Sequence, residues 1–338
     1  MRQDHCTGMR ILLVFALSTA LLAQTSSKGT PTGNAPAEDL PAPIQVDVNL
    51  VNILASVHDK RGALVANLEK NDFSVFEDGK QQEIKYFTRE TDLPLTIGLL
   101  VDVSRSQENL IGIERNAAVQ FLSKVLRKKD EAFLISFGED AELLQDYTSS
   151  VRLLEDGLSQ LRVSSGVGGI GPGPVPTAGQ PRGTVLYDAV YLAANEKLRG
   201  EVGRKVIVVI TDGVDEGSRM SRDQAVEAAQ KADAVIYSID YQDRGFYGPF
   251  SFGGNGEAEL HRMSDETGGQ VFKVDRKHTL DQVFQEIQDE MRSQYSIAYT
   301  PTNDSKDGSY RRLDIRLARK DLKVQARKGY YAIKPDAR

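Results

Sequence analysis

Apolar residues fall into two kinds of pattern along this chain. The run that begins at Leu95 stays apolar until it ends in Asp102-Val103-Ser104-Arg105-Ser106, and Lys205–Ile210 and Ala234–Asp240 are similar. Continuous runs of this kind predict strands covered on both faces of a parallel sheet. Between them the spacing turns helical. Leu110, Ile113, Ala117, Phe121 and Val125 predict one helix, and Val151–Leu161, Thr184–Leu198, Ser221–Ala232 and Glu257–Thr267 predict others. Leu280, Val283, Phe284, Ile287 and Met291 form an amphipathic stripe over Thr279–Arg292. Glu131–Phe137 and Leu143–Tyr147 predict a strand pair turned by Gly138-Glu139-Asp140, and so short a connection forces it to be antiparallel. Gln270–Val274 is a last short strand. The alternation predicts an α/β fold: a doubly wound, mostly parallel sheet with one antiparallel edge strand.

Both flanks carry β-pattern instead. Ile44–Asp59 alternates, marked by Val46, Val48, Leu50, Asn52 and Leu54. Phe73–Phe76 and Ile84–Phe87 flank Glu77-Asp78-Gly79-Lys80, and Asp-Gly between strand-like runs is a strong hairpin signal. After the helical stripe come Gln294–Tyr299, Arg312–Leu317, Leu322–Ala326 and Gly329–Ala332. Each flank is too small to bury a core alone. The expectation is therefore an N-terminal β segment at 44–90 and a C-terminal one at 295–335. These pack together as a small accessory module around a central domain at 93–294.

Composition narrows the class. With 338 residues, 40% hydrophobic and 27% charged, the chain is globular, and a net charge of -6 gives no footprint for nucleic acid. Arg2 and Arg10 precede the apolar run Ile11–Ala23, which is shorter than the ~20 residues of a membrane span. Residues 1–23 read as a cleaved signal peptide, with an uncleaved anchor as the alternative. The Ser/Thr/Pro/Gly-rich stretch 24–43 reads as a disordered linker. An extracytoplasmic (periplasmic or secreted) location follows, with no membrane span after cleavage. Cys6 is the only cysteine and precedes the apolar run, so the mature chain has no disulfide.

The candidate chemistry lies where the buried strands end. Asp102, Ser104 and Ser106 offer one carboxylate and two hydroxyls at alternate positions, and the carboxyl edge of an open α/β sheet is where ligands bind. Thr184 opens a helical pattern after Gly183, and Thr211-Asp212-Gly213 closes the second buried run. Such oxygen donors suit a hard cation. Asp-x-Ser-x-Ser, then Thr before a helix, then Asp-Gly after a strand resembles the von Willebrand factor type A domain and its metal-ion-dependent adhesion site, over about residues 93–294. With its "EDGKQQEI" and "RKGYYA" segments, the chain also resembles the VWFA-related exported proteins of acidobacteria. The resemblance implies that Ser104, Ser106 and Thr184 ligate Mg²⁺ (or Mn²⁺ or Ca²⁺), with Asp102 and Asp212 acting directly or through water. It further implies that a partner protein supplies an Asp or Glu carboxylate to complete the coordination.

Enzymatic chemistry lacks support. Neither a Gly-x-Gly-x-x-Gly nor a P-loop follows any strand, no Gly-x-Ser-x-Gly elbow occurs, and His58, His261 and His278 are isolated in sequence. The expected function is metal-dependent protein interaction. A scaffold that binds through its β-module with an unused metal site is the runner-up, and a metal-dependent hydrolase comes third. Two loops border the expected metal edge: Ser164–Gly183, rich in Gly and Pro, and Gly245–Gly256, which carries Phe246, Tyr247, Phe250 and Phe252. Ser164–Gly183 reads equally as a recognition lip or as a tolerated insertion, whereas for Gly245–Gly256 packing down over a helix end is favoured over an interface role.

Overall fold

Strands β5 (Leu95–Asp102) and β8 (Arg204–Thr211) have every residue buried, as apolar runs in the middle of a two-sided sheet require. They lie side by side in the computed structural model, which describes residues 50–89, 93–164, 183–243 and 255–333. The sheet around them adds β6 (Glu131–Phe137), β7 (Ala141–Thr148), β9 (Ala234–Asp240) and β10 (Val271–Lys273). Its order is β10-β9-β8-β5-β6-β7, parallel throughout except for the antiparallel edge strand β7.

Helices cover both faces. On one side, α1 (Ile111–Val125), α2 (Val151–Leu158) and α6 (Leu280–Arg292) pack on Leu95, Ile97, Leu99 and Val101. On the other, α3 (Leu186–Tyr191, continued by wider turns over Leu192–Leu198), α4 (Arg222–Lys231) and α5 (Gly256–Thr267) cover Leu100, Ile207 and Val209. Side chains on alternate strand positions thus feed separate cores, and the fold is doubly wound, with an antiparallel edge strand as the sequence predicts. All five residues of the α6 stripe are buried.

Four details differ from the pattern-based expectation. In α1, Ile113 is 52% exposed while Glu114 is fully buried. Ile111, Ala118 and Leu122 turn the inward face about one residue away from a stripe drawn through Ile113. Helix α2 stops at Leu158 rather than Leu161, and α3 starts at Leu186 rather than Thr184. In β1 (Val51–His58) the buried apolar positions are Val51, Ile53, Ala55 and Val57, whereas Leu50 and Asn52 are exposed. Both alternating sets contain apolar residues, so the pattern alone leaves the face open to a one-residue slip. Finally, β2 (Phe73–Glu77) makes its hairpin with β3 (Lys80–Gln82), through Asp78 and Gly79 at positive φ. The run from Ile84, strand β4 (Ile84–Arg89), belongs to a different sheet.

The remaining strands come from the other end of the chain: β11 (Tyr295–Tyr299), β12 (Tyr310–Leu317), β13 (Lys323–Ala326) and β14 (Gly329–Tyr331). Two four-stranded sheets result, β13-β1-β11-β4 and β14-β12-β2-β3, each built from both ends. They share one apolar cluster in which Phe73, Phe87 and Tyr295 rings meet at 5.2–5.6 Å between centroids. Buried Glu77 is paid for by two phenols, Tyr299 at 2.6 Å and Tyr330 at 2.9 Å. The described residues, from 50 to 333, fall in one compact unit that includes this sandwich and the central sheet. Residues 1–23 and 24–43, read as signal and linker, lie outside the described residues. Among the described residues no helix is long and apolar enough to cross a membrane.

Candidate metal centre

From β5 the chain winds to β6 and β7 on one side, and from β8 to β9 and β10 on the other. The boundary between β5 and β8 is therefore the topological switch point, where an α/β sheet opens a crevice beyond its strand ends. Asp102 is the last residue of β5, and Asp212 follows the last residue of β8. Parallel pairing of the two strands brings both carboxylates out at this crevice.

Local turns then fold the oxygens inward. The Ser104 amide donates to Asp102 Oδ1 at 2.9 Å, an Asx-type turn that leads into a tight turn over Arg105–Gln107. The Ser106 hydroxyl donates to Asp212 Oδ2 at 2.6 Å, and the Ser104 and Ser106 hydroxyls lie 3.1 Å apart. Asp102, Ser104, Ser106 and Asp212 are thus strung together by hydrogen bonds. Gly213 carries the chain away at φ +80°, where a Cβ would lie 2.5 Å from the Gly256 carbonyl oxygen at the start of α5. Only glycine fits there.

Thr184 is held by its backbone. Its carbonyl accepts from the Glu216 and Gly217 amides at 3.1 Å, and the next amide, of Val185, donates to the Gly138 carbonyl at 2.9 Å. These bonds anchor the approach to α3 against the turn after β6 and the loop after β8. The described hydrogen bonds do not tie the Thr184 hydroxyl to the other four side chains. Asp102, Ser106 and Asp212 are buried, whereas Ser104 and Thr184 are half-buried and form the open side.

The electrostatics are unfavourable in the protein alone. Burial, then the charge of Asp212, pushes the Asp102 carboxyl up to about 7, against hydrogen bonds from Ser104 and Thr211 that favour its charged form. Glu114, on α1, is pushed well above the usual range by burial and then by Asp102 and Asp212. Both Glu114 oxygens and Gln107 Oε1 are buried without a hydrogen-bond partner. Repelling carboxylates, hydroxyl oxygens and orphaned acceptors form a donor set that fits a hard divalent cation. No three His, Cys, Asp or Glu side chains among the described residues are placed to hold an ion by themselves, so the hydroxyls would have to serve as ligands.

Three residues here escape sequence reasoning. The Thr211 hydroxyl donates to Asp102 Oδ2 at 2.5 Å and accepts from the Gly213 amide at 3.1 Å, locking β5 to β8. The Gln107 amide donates to the Tyr241 carbonyl at 3.1 Å. The third is Glu114. Its signal is helical: Ile111, Glu114, Ala118 and Leu122 share one face. The expected recognition loops fall largely at 165–182 and 244–254, outside the described residues. The histidines are placed elsewhere, but His58 is not isolated, since it contacts Glu290 at 2.8 Å.

The family model of the von Willebrand factor type A domain matches residues 175–286, a stretch that contains Thr184 and Asp212 and begins after the Asp102–Ser106 turn. Among solved structures, an aerotolerance-related membrane protein from Bacteroides fragilis is 18% identical, with 58% of this chain and 98% of that chain covered and a TM-score of 0.42. BatB, a conserved hypothetical protein from Bacteroides thetaiotaomicron, is 18% identical over 58% of this chain and 97% of its own, at a TM-score of 0.40. Proximal thread matrix protein 1 from the mussel byssus, with a zinc-occupied MIDAS motif, is 14% identical. It covers 64% of this chain and 50% of its own, at a TM-score of 0.45.

Proposed function

We propose that the chain, whose residues 175–286 match the family model of the von Willebrand factor type A domain, is a metal-dependent protein-interaction module acting outside the cytoplasm. Asp102, Ser104, Ser106, Thr184 and Asp212 would hold Mg²⁺, with Mn²⁺ or Ca²⁺ as alternatives. A carboxylate from a partner protein would fill the position left open beside Ser104 and Thr184. The observation that carries this reading is the string from Asp102 through Ser104 and Ser106 to Asp212 at the switch point. When bound, the ion supplies a Lewis-acidic site for one more anionic oxygen. The two serines hold the acids in place, and the buried side excludes water from Asp102. Export rests on the N-terminal apolar run alone.

A second reading, binding through the β-module, draws support from a groove of about 620 Å³ between β12, β13 and α5, lined in part by Arg312, Ile315, Val324 and Lys328. One experiment separates the two. Saturating Mg²⁺ or Mn²⁺ at ~100 times its Kd contributes about 2.7 kcal/mol, a rise in Tm of roughly 4–5 °C for a unit of this size. Asp102→Ala removes that rise and abolishes metal-dependent capture of a partner from envelope extract. Identical melts in Mg²⁺, Mn²⁺ and EDTA overturn the metal reading. Capture that persists in EDTA assigns binding to the β-module.

A further inference from the structure

Glu114 has no role in the five-residue set, yet it is fully buried on α1, and neither carboxylate oxygen has a hydrogen-bond partner. An unpartnered buried carboxylate is among the most costly groups a fold can carry. Gln107, one turn after Ser104, repeats the pattern. Its Nε2 is committed to the Tyr241 carbonyl, which fixes the amide orientation and leaves Oε1 buried with no donor. Tyr241 in turn donates its amide to Thr211, whose hydroxyl holds Asp102. Hydrogen bonds therefore tie Gln107 to the candidate metal centre, and Glu114 lies buried on the adjoining helix α1. Asp102 and Asp212 both act electrostatically on Glu114.

Every orphan here is an acceptor, so its complement is a positively charged group that brings its own donors. Glu114 does not join Asp102 and Asp212 in a group of three acids placed to share an ion among the described residues. A hydrated cation does fit. Mg²⁺ dehydrates reluctantly and keeps several waters, and the O–H groups of such waters are strongly polarised donors.

We propose that Glu114, with Gln107, anchors the cation from the buried side by accepting hydrogen bonds from its bound water. The centre thereby favours ions that keep their waters, Mg²⁺ or Mn²⁺, over ions such as Zn²⁺ that exchange them for direct protein ligands. The partner-facing position stays on the opposite, open side. This rests on the metal reading above and deepens it, because a positioning residue behind the ion decides which ion is held.

The test is Mn²⁺ binding to the full chain, followed by calorimetry and by water-proton relaxation. Glu114→Gln keeps the shape and removes the charge. Its affinity for Mn²⁺ is expected to fall about 10- to 100-fold, with Glu114→Asp in between and the melting temperature in EDTA at or above wild type for Glu114→Gln. Affinity within about twofold of wild type overturns the proposal, and so does a lower EDTA melting temperature with unchanged affinity, which marks a purely structural residue. If Glu114→Gln does not fold, Glu114→Asp decides: full affinity with the carboxylate drawn back by one methylene overturns it. Wild-type protein that binds no Mn²⁺ removes the metal reading and this inference together. Wild-type binding matched by Glu114→Gln removes this inference alone.

Discussion

A methyl group on Gly98, in the middle of β5, would lie 2.4 Å from Cζ of Phe133 on the neighbouring strand. A glycine inside a central strand weakens it unless another group needs the space, and here the Phe133 ring does, meeting Tyr147 edge-on at 5.4 Å. Gly98→Ala is expected to cost about 1–3 kcal/mol by overpacking, read from urea denaturation, with part recovered by adding Phe133→Leu. At Asp102 the direction reverses. Asp102→Asn removes one of two buried, mutually repelling carboxylates, so the metal-free protein should melt higher while the metal-induced rise disappears. Equal melting of the two proteins in EDTA would count against repulsion at the site. Individual residues were unevenly legible in the sequence. Asp102, Ser104, Ser106 and Asp212 stand out because small oxygen-bearing side chains interrupt apolar runs. Glu114 is hidden because a charged residue early in a helix normally reads as solvated, and only the phase of Ile111, Ala118 and Leu122 shows that it faces inward.

Among elements, the contact between β1 and α6 depends on ionisation. Glu290, almost fully buried near the end of α6, accepts hydrogen bonds from Ser56 and His58 of β1. The hydrogen bond to Glu290 raises the His58 pKa, against the opposing effect of burial. A raised histidine pKa stabilises the fold fully below the unfolded value of about 6.5 and loses that contribution as pH rises through the folded value. Melting temperature is therefore expected to fall on going from mildly acid to mildly alkaline buffer, and His58→Gln should flatten this dependence. An unchanged slope in His58→Gln would exclude the pair as its source. Element type was legible where a pattern was long and one-sided, as in β5, β8 and α6. It was ambiguous in β1, where both alternating sets carry apolar side chains. The hairpin of β2 was mispaired because a strong Asp-Gly turn says nothing about the switch of sheets at Glu83, which only the packing of Ile84 and Phe87 decides.

At the scale of the whole molecule, the sandwich and the central sheet are joined by side-chain and backbone bonds. Gln325 donates to the Gly269 carbonyl, Arg327 pairs with Asp233, and the Lys328 amide donates to the Glu266 carbonyl at 3.2 Å. With both in one compact unit, a single calorimetric transition is expected for residues 50–333. Metal should move that transition as a whole, and two separate transitions would show that the bonds do not couple the parts. Deleting the strands from Tyr295 onward leaves β1 and β4 without their shared neighbour β11, so the remaining edges should aggregate. The alternation of strand and helix made the doubly wound, mostly parallel sheet and its antiparallel edge strand readable, while the strand order came only from the structure. The joining bonds were unreadable because they link side chains far apart in the chain.

Arg204 has a consequence for the order in which the chain folds. Its amide donates to the Pro94 carbonyl and its guanidinium to the Met291 carbonyl, so one residue grips the chain just before β5 and near the end of α6. Pairs such as Val51 with Tyr299 join residues nearly at opposite ends of the described chain, and contacts of that separation form slowly in an unfolded polymer. Once the central sheet is complete and Arg204 has drawn its two ends together, the same pairs become almost local. The sandwich then acts as a latch that shuts only after the domain inside it has formed. Until that moment β1 and β4 wait without partner strands and β2 has only its hairpin partner β3, which makes the interval before closure the time when this chain most needs protection from its neighbours.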